Sequence, residues 1–265
     1  MVELIRESSW RRAWLRGAGY LREKKSDLNV ILAIADPVSV DPHAAEFDQA
    51  VDAYLVSDEE HPLHTVAETI FPGWQYRRRG LRGLFDHYAT QEFPALKENR
   101  PSSWGSYAHR LLVRTDAQGK TFNPLKNLID KLITEKKVKG PKKACYEIGI
   151  AEGEYDAPLY NTVDDASRHM GGPCLSHLSF KFYDERLHLT ALYRSHDYRA
   201  KALGNLLGLA RLLACVSQET EIPVGTMTVH STYAWFSTSK MGEFKTLLTK
   251  LEELIAQGEQ LGMAI

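Results

Sequence analysis

Two short runs of alternating apolar and polar residues place the strongest constraint on how this chain can fold. The runs cover residues 178–182 and 187–192, and polar residues at 184–186 separate them. Alternation with a period of two is typical of a strand with one buried face, and a short polar break between two such runs predicts a β-hairpin. A hairpin returns the chain to its starting point. We therefore expect Cys174, just before the first run, to lie close to Arg194, just after the second.

Other segments predict a mixture of helices and strands. Asn123 before Pro124 is typical of a helix start, because Asn caps the first turn and Pro fits the first helical position. Residues 199–217 are mostly apolar and predict a helix buried on several sides. The remaining predicted elements are helices over 8–16 and 240–257 and strands over 29–35, 144–150 and 225–236. Since no Pro/Ser/Gly-rich linker divides the chain, we expect an α+β fold in a single domain over residues 1–265.

Composition excludes several classes of protein. With 265 residues, 43% of them hydrophobic and 25% charged, the chain is long enough to form a large core. The formal net charge of −1 argues against a general nucleic-acid partner. Three cysteines without a framework spacing favour a reducing, cytoplasmic location over a disulfide scaffold. We find no secretory segment and no apolar run long enough for a membrane, so no membrane partner is expected.

The residues around the predicted hairpin offer a thiol, a cation, a hydroxyl and an amide. Cys174 follows Gly-Gly-Pro, residues 194–197 are Arg-Ser-His-Asp, and Asn205 falls in the predicted long helix. This order resembles the folate-dependent thymidylate synthase family and its pyrimidine nucleotide hydroxymethylase relatives. In that family a Pro-Cys begins a strand, Arg-Ser-x-Asp follows on the next strand, and an Asn lies in the succeeding helix. The interval from Arg194 to Asn205 equals the family spacing.

The resemblance implies a fold and an activity. The fold is thymidylate-synthase-like, a mixed β-sheet with flanking helices, in a homodimer whose sheets pack on each other. The activity is transfer of a one-carbon unit from the cosubstrate 5,10-methylenetetrahydrofolate to C5 of a pyrimidine nucleoside monophosphate, with methylation of dUMP to dTMP as the leading reaction. Two alternatives are 5-hydroxymethylation of dUMP, dCMP or CMP, and a nucleotide-binding protein without catalysis. The resemblance implies no metal ion.

A cysteine nucleophile is central to this chemistry. C5 of a pyrimidine becomes reactive only when a thiolate adds at C6, so the resemblance makes Cys174 the nucleophile, and a nearby Arg194 is expected to lower the pKa of its thiol. Cys145 lies in a predicted alternating strand and Cys215 in an apolar predicted helix, and both are expected to be buried, inert side chains. Residues 66–71 resemble the family helix with a catalytic carboxylate. Glu68 would then order water and move protons.

Substrate recognition is implied at a second group of positions. Arg194 and Ser195 suit a phosphate, because an arginine fork and a hydroxyl both donate to its oxygens. Lys142 and Lys143 stand where the family's partner subunit supplies two arginines, although a solvated turn is an equally good interpretation of this Lys-rich segment. Asn205 would recognise the base, since a carboxamide can donate to O4 and accept from N3 of uracil.

The resemblance also assigns binding roles at positions that are less closely matched. Tyr193 replaces a family Gln, and Leu175 replaces the His that follows the nucleophile. The sugar-binding His-x-Tyr of the family can be matched to residues 230–235 in more than one register. Nucleotide-side residues implied in this way are Asp197, Tyr193, His230 and Tyr233. Cofactor-side residues are Asp197, Trp104 in a Trp-Gly that looks like the family's Tyr-Gly loop, and Ile265 in the closing tail.

Overall fold

The computed structural model describes residues 2–95, 106–116, 118–140, 146–150, 173–237 and 240–263. Its helices are α1 Trp10–Lys24, α2 Ala44–Ser57, α3 Leu63–Ile70, α4 Gly73–Arg79, the π-helix π1 Gly83–Glu92, α5 Tyr107–Leu112, α6 Pro124–Glu135, α7 Ala202–Thr220 and α8 Met241–Met263. Its strands are β1 Glu3–Glu7, β2 Ser26–Ile34, β3 Arg114–Thr115, β4 Thr121–Phe122, β5 Glu147–Gly149, β6 Leu175–Tyr183, β7 Arg186–Tyr193, β8 His196–Asp197 and β9 Val224–Trp235.

Seven of the strands form one mixed sheet in the order β1-β2-β9-β7-β6-β5, with β8 paired to the end of β9. The β1–β2, β7–β9 and β8–β9 pairs are parallel, and the other pairs are antiparallel. The expected mixed sheet with flanking helices is confirmed. A cluster of buried apolar side chains extends from Ile5 to Leu251, while the single domain itself stays a prediction.

The predicted hairpin is confirmed as β6 and β7. Phe180 pairs with Leu189, and Tyr183 pairs with Arg186 across a two-residue turn. Both turn residues, 184 and 185, have a left-handed backbone conformation, with φ of 50° and 55°. A two-residue turn with both residues in this region matches the right-handed twist of the flanking strands. The strands are longer than the alternating runs alone predicted, so they reach Cys174 and Arg194.

The two faces of the sheet differ in their burial. One row of paired residues crosses five strands and is buried beneath helices: Leu32, Val229, Ala191, Leu178 and Ile148. The neighbouring row points to the opposite face and is half-buried or exposed: Ala33, Thr228, Thr190, Ser179 and Glu147. We call this second face the open face of the sheet. Along a strand, side chains alternate between the two faces.

Close packing of α3 on α7 depends on two glycines. A Cβ on Gly204 would lie 2.5 Å from Val66 Cβ, and one on Gly208 would lie 2.8 Å from the backbone oxygen of Ala67. Any larger side chain would therefore separate the two helices. The contact places α3, which contains Glu68, beside α7, which contains Asn205.

The predicted helices are confirmed, but their boundaries change: α1, predicted over 8–16, extends to Lys24, and α8, predicted over 240–257, extends to Met263. Asn123 accepts a hydrogen bond from the backbone of Lys126 at 2.9 Å, and Pro124 is the first residue of α6, as the sequence predicted. Helix α7 begins at Ala202 rather than at residue 199. The carboxylate of Asp197 accepts from the backbone of Arg199, which holds the preceding residues in a turn. None of the helices within the described residues is long and apolar enough to cross a membrane.

Candidate active site

The hairpin brings Cys174 and Arg194 together, as the alternating runs predicted. The backbone N–H of Arg194 donates to the carbonyl oxygen of Cys174 at 2.9 Å. Arg194 Nε donates to the carbonyl oxygen of Pro173, also at 2.9 Å. The register of β6 and β7 shifts between Leu175 and His177. An irregularity of this kind bends a strand locally, and here it lies next to the thiol.

Burial has a larger effect on the Cys174 thiol than the cation does. Burial raises the pKa of Cys174, Arg194 lowers it, Asp197 raises it, and the net result is a raised pKa. Arg194 thus lowers the pKa of the thiol as expected, but burial, which the sequence did not predict here, outweighs its effect. In the free protein the thiol keeps its proton near neutral pH, because a thiolate is costly where water is largely excluded.

Tyr107, at the start of α5, fixes the backbone around the thiol. Its hydroxyl oxygen accepts hydrogen bonds from the N–H groups of Cys174 at 3.0 Å and Leu175 at 3.4 Å. Burial raises the pKa of Tyr107 to about 12. Sequence reasoning missed this residue, whose only signal was its position three residues after Trp104. The contact joins positions 67 residues apart, and no local pattern encodes it.

Asn205 belongs to a buried chain of polar side chains. Its Nδ2 lies 3.1 Å from His196 Nε2, and His196 Nδ1 lies 3.0 Å from Ser231 Oγ. The imidazole stacks on the Tyr193 ring, with a centroid distance of 4.0 Å and an interplanar angle of 2°. Burial lowers the pKa of His196 to about 3, so the ring is neutral near pH 7. Sequence reasoning named Asn205 and Tyr193 but missed His196 and Ser231, which come from β8 and β9.

Tyr193, Ser195 and Asp197 lie within three residues of His196 in the sequence. Ser195 Oγ accepts from Trp235 Nε1 at 3.1 Å, and Asp197 Oδ1 accepts from the backbone of Arg199 at 2.9 Å. Burial raises the pKa of Asp197. The buried Tyr193 hydroxyl has no hydrogen-bond partner among the described residues. An unpaired buried hydroxyl is costly, so it suits contact with a bound molecule or water. We call Cys174, Arg194, His196 and Asn205 the hairpin site.

Glu68 lies in a different polar group. Its carboxylate accepts from the backbone of Trp74 at 3.2 and 3.3 Å and from Arg211 NH1 at 3.2 Å, and Arg211 NH2 lies 2.7 Å from His64 Nδ1. Burial raises the pKa of Glu68, while Arg211 acts to lower it. We call these four residues the Glu68 cluster. The contacts described for Glu68 are with this cluster and do not include Cys174 or Asn205.

The contacts described for the predicted sugar-binding residues do not include the hairpin site. His230 precedes the inward-facing Ser231 in β9, so its side chain lies on the open face, where Nε2 is 3.0 Å from Asn29 Oδ1. Tyr233 is 43% exposed. Their roles stay predictions. The other predicted site residues lie outside the described residues: Lys142, Lys143, Trp104 and Ile265, together with Cys145.

Comparison with known proteins gives a local similarity. No model of a protein family matches the chain. A stretch of 59 residues is 41% identical to a protein of Methanosarcina mazei described as "Putative thymidylate synthase", and another comparison over 59 residues gives 44% identity to one of Methanothermobacter thermautotrophicus with the same description. Each match spans 22% of this chain and 27% of the relative. The chain is thus similar to these relatives over about a quarter of their length.

Proposed function

We propose that this protein transfers a one-carbon unit from 5,10-methylenetetrahydrofolate to C5 of a pyrimidine nucleoside monophosphate, with dUMP converted to dTMP. The observation that carries the proposal is the pairing of Cys174 with Arg194 at the end of the β6–β7 hairpin, two residues before His196, which contacts Asn205. A thiol, an exposed cation and an amide held by a buried imidazole match the three needs of the reaction: a nucleophile, a phosphate ligand and a base ligand. The local similarity to thymidylate synthases supports the same class of chemistry.

Cys174 supplies the covalent step. Its Sγ bonds to C6 of the base as the thiol proton leaves, and the electrons of the C5–C6 double bond move toward O4 as an enolate. An N–H of Asn205 stabilises that charge, and C5 then bonds to the one-carbon unit. When C5 loses its proton to water that Glu68 orders, the bond between the one-carbon unit and the folate nitrogen breaks, which leaves an exocyclic methylene on C5 and frees tetrahydrofolate. A hydride from tetrahydrofolate then adds to the methylene as the Sγ–C6 bond breaks and the C5–C6 double bond is restored, so the methyl group is complete and the folate is oxidised to dihydrofolate.

Binding of the phosphate rests on charge at the rim of the site. Arg194 is exposed, and Ser195 is the next residue, so a phosphate can receive both a guanidinium and a hydroxyl. In the proposed homodimer, Lys142 and Lys143 of a second copy complete this ligand set. The open face supports such a dimer. Helices cover only one face of the sheet, so the uncovered face can pack against the same face of another copy. Asp197, Trp104 and Ile265 are the proposed folate-side residues.

Product mass tests the proposal directly. The protein is incubated with methylenetetrahydrofolate and, separately, with dUMP, dCMP, UMP and CMP, beside Cys174→Ala and the matched control Cys215→Ala. We expect dUMP to gain a methyl group with the wild type and with Cys215→Ala, but not with Cys174→Ala. A hydroxymethyl product would instead make water the final acceptor. If a nucleotide binds but no product forms, the chain is a nucleotide-binding protein. If none of the four nucleotides binds, the proposal is overturned.

A further inference from the structure

A carboxamide does not choose a pyrimidine by its presence alone. One end of the Asn205 amide donates and the other accepts. Uracil presents an acceptor at O4 and a donor at N3, and cytosine presents the reverse. A half-turn of the amide about its last side-chain bond exchanges Oδ1 and Nδ2. The same Asn could therefore serve either base, and the choice depends on what fixes the amide.

His196 is the group that fixes it. Nδ2 of Asn205 is 3.1 Å from His196 Nε2, and an amide nitrogen has only hydrogens to offer, so Nε2 accepts. The imidazole proton then resides on Nδ1 and is donated to Ser231 Oγ at 3.0 Å. A half-turn of the amide would place Oδ1 against the lone pair of Nε2, which is unfavourable where water cannot intervene. One N–H and Oδ1 of Asn205 remain for the base.

The imidazole itself has little freedom to adapt. His196 is 1% exposed, and its ring lies between the stacked Tyr193 ring and the edge-on Tyr198 ring, whose centroid is 5.2 Å away. The hydroxyl of Tyr198 also lies 3.3 Å from Ser231 Oγ. The groups that contact the imidazole are therefore uncharged, and they hold the ring in one plane. A proton shift from Nδ1 to Nε2 would require Ser231 to turn its own hydrogen toward Nδ1.

We propose that His196 determines which pyrimidine base the site accepts, by holding the Asn205 carboxamide in one orientation. This inference rests on the proposed function, since it presumes that a pyrimidine contacts Asn205. His196 is a positioning residue in this scheme and touches no substrate. This role explains the histidine within the Arg-Ser-His-Asp segment, because a side chain with two distinct nitrogens can link Ser231 to the Asn205 amide.

Substrate preference gives the first test. His196→Phe keeps an aromatic ring on Tyr193 and removes both nitrogens. We expect the kcat/KM ratio between dUMP and dCMP to narrow by about tenfold or more, because a released amide can meet either base. Equilibrium binding of both nucleotides is measured in parallel. Tyr76→Phe, which removes a distant hydroxyl paired with Glu219, should leave the ratio unchanged. An unchanged ratio in a folded His196→Phe variant would overturn the inference.

The position of the imidazole proton gives a second test that needs neither turnover nor a His196 variant. Nitrogen NMR of the wild-type protein should show His196 protonated on Nδ1 only. In Asn205→Asp the carboxylate can only accept, so the proton should move to Nε2. A wild-type proton on Nε2, or the same tautomer in both proteins, would overturn the assigned orientation. If the tautomers are as expected but no pyrimidine nucleotide binds, the proposed function and the base choice fail together, while the hold of His196 on Asn205 stands.

Discussion

The hairpin site and the Glu68 cluster hold their polar groups in different ways. In the hairpin site, strand register joins Cys174 to Arg194, and a buried imidazole holds Asn205. In the Glu68 cluster the carboxylate is held by Arg211, and these two side chains are 34% and 17% exposed. A partly exposed ion pair can rearrange more easily than a buried hydrogen-bonded chain, which is rigid.

This difference divides the proposed reaction between two kinds of environment. The nucleophile and the base ligand are set before any substrate arrives, which lowers the cost of orienting them in the transition state. The carboxylate proposed to move protons stays in contact with solvent and with a cation. Variants in the first region should therefore change rate or selectivity sharply, and variants in the second should mainly change the pH dependence.

The largest effect is expected from Cys174. Without the Sγ–C6 bond no enolate forms, so Cys174→Ala should abolish release of tritium from C5-labelled dUMP. Cys215 is buried in α7 and its pKa is raised by burial to about 12, so Cys215→Ala should keep activity and lower stability by a few kcal/mol at most. Release at the wild-type rate from a folded Cys174→Ala variant would remove the covalent step from the proposal.

Arg194 should have the next largest effect, and it should depend on the phosphate. Arg194→Ala is expected to weaken the binding of dUMP by about 1.5–3 kcal/mol, the usual contribution of a hydrogen bond to a charged group. The binding of deoxyuridine, which has no phosphate, should be nearly unchanged. Titration calorimetry with both ligands measures the difference. Arg186→Ala is the matched control, because Arg186 lies at the opposite end of β7 and donates to Val224 O at 3.1 Å. Equal losses for nucleotide and nucleoside would place the phosphate elsewhere.

Acid should destabilise the protein through His196. Its folded-state pKa of about 3 lies below the model-peptide value of 6.5, so between these values the unfolded chain binds a proton that the folded chain does not. The resulting stability is present above pH 6.5 and is lost as the pH falls through this window. From pH 7 to pH 5 the loss should be about 2 kcal/mol. Urea unfolding at both pH values should show this loss in the wild type and a smaller one in His196→Phe.

Local patterns predicted the frame of the hairpin site and the approach of Cys174 to Arg194, but not the contacts of His196 and Asn205. The period-two runs and the polar turn were enough for β6 and β7, and Asn123-Pro124 fixed the start of α6, since these signals lie within a few residues. The chain from Ser231 through His196 to Asn205 joins β9, β8 and α7, and its members are adjacent only after folding. The raised pKa of Cys174 escaped prediction for the same reason, because burial is a property of the whole fold.

The smallest predicted effect concerns the Glu68 cluster. Arg211 lowers the pKa of Glu68 against the upward effect of burial. Arg211→Met removes the cation and keeps much of the apolar stem, so the pKa of Glu68 should rise further. If the ionised carboxylate orders the water, the acidic limb of the pH–kcat profile should move to higher pH, with little change in the maximal rate.

Arg78→Met is the control for loss of a nearby cation, because Arg78 lies in the basic last turn of α4 and no contact between it and Glu68 is described. Its profile should coincide with that of the wild type. An acidic limb that stays in place in Arg211→Met would mean that the limb reports another group, and Asp197, whose pKa is also raised by burial, would be the next candidate. Glu68→Gln separates the two, since it should remove the limb only if Glu68 is the group that titrates.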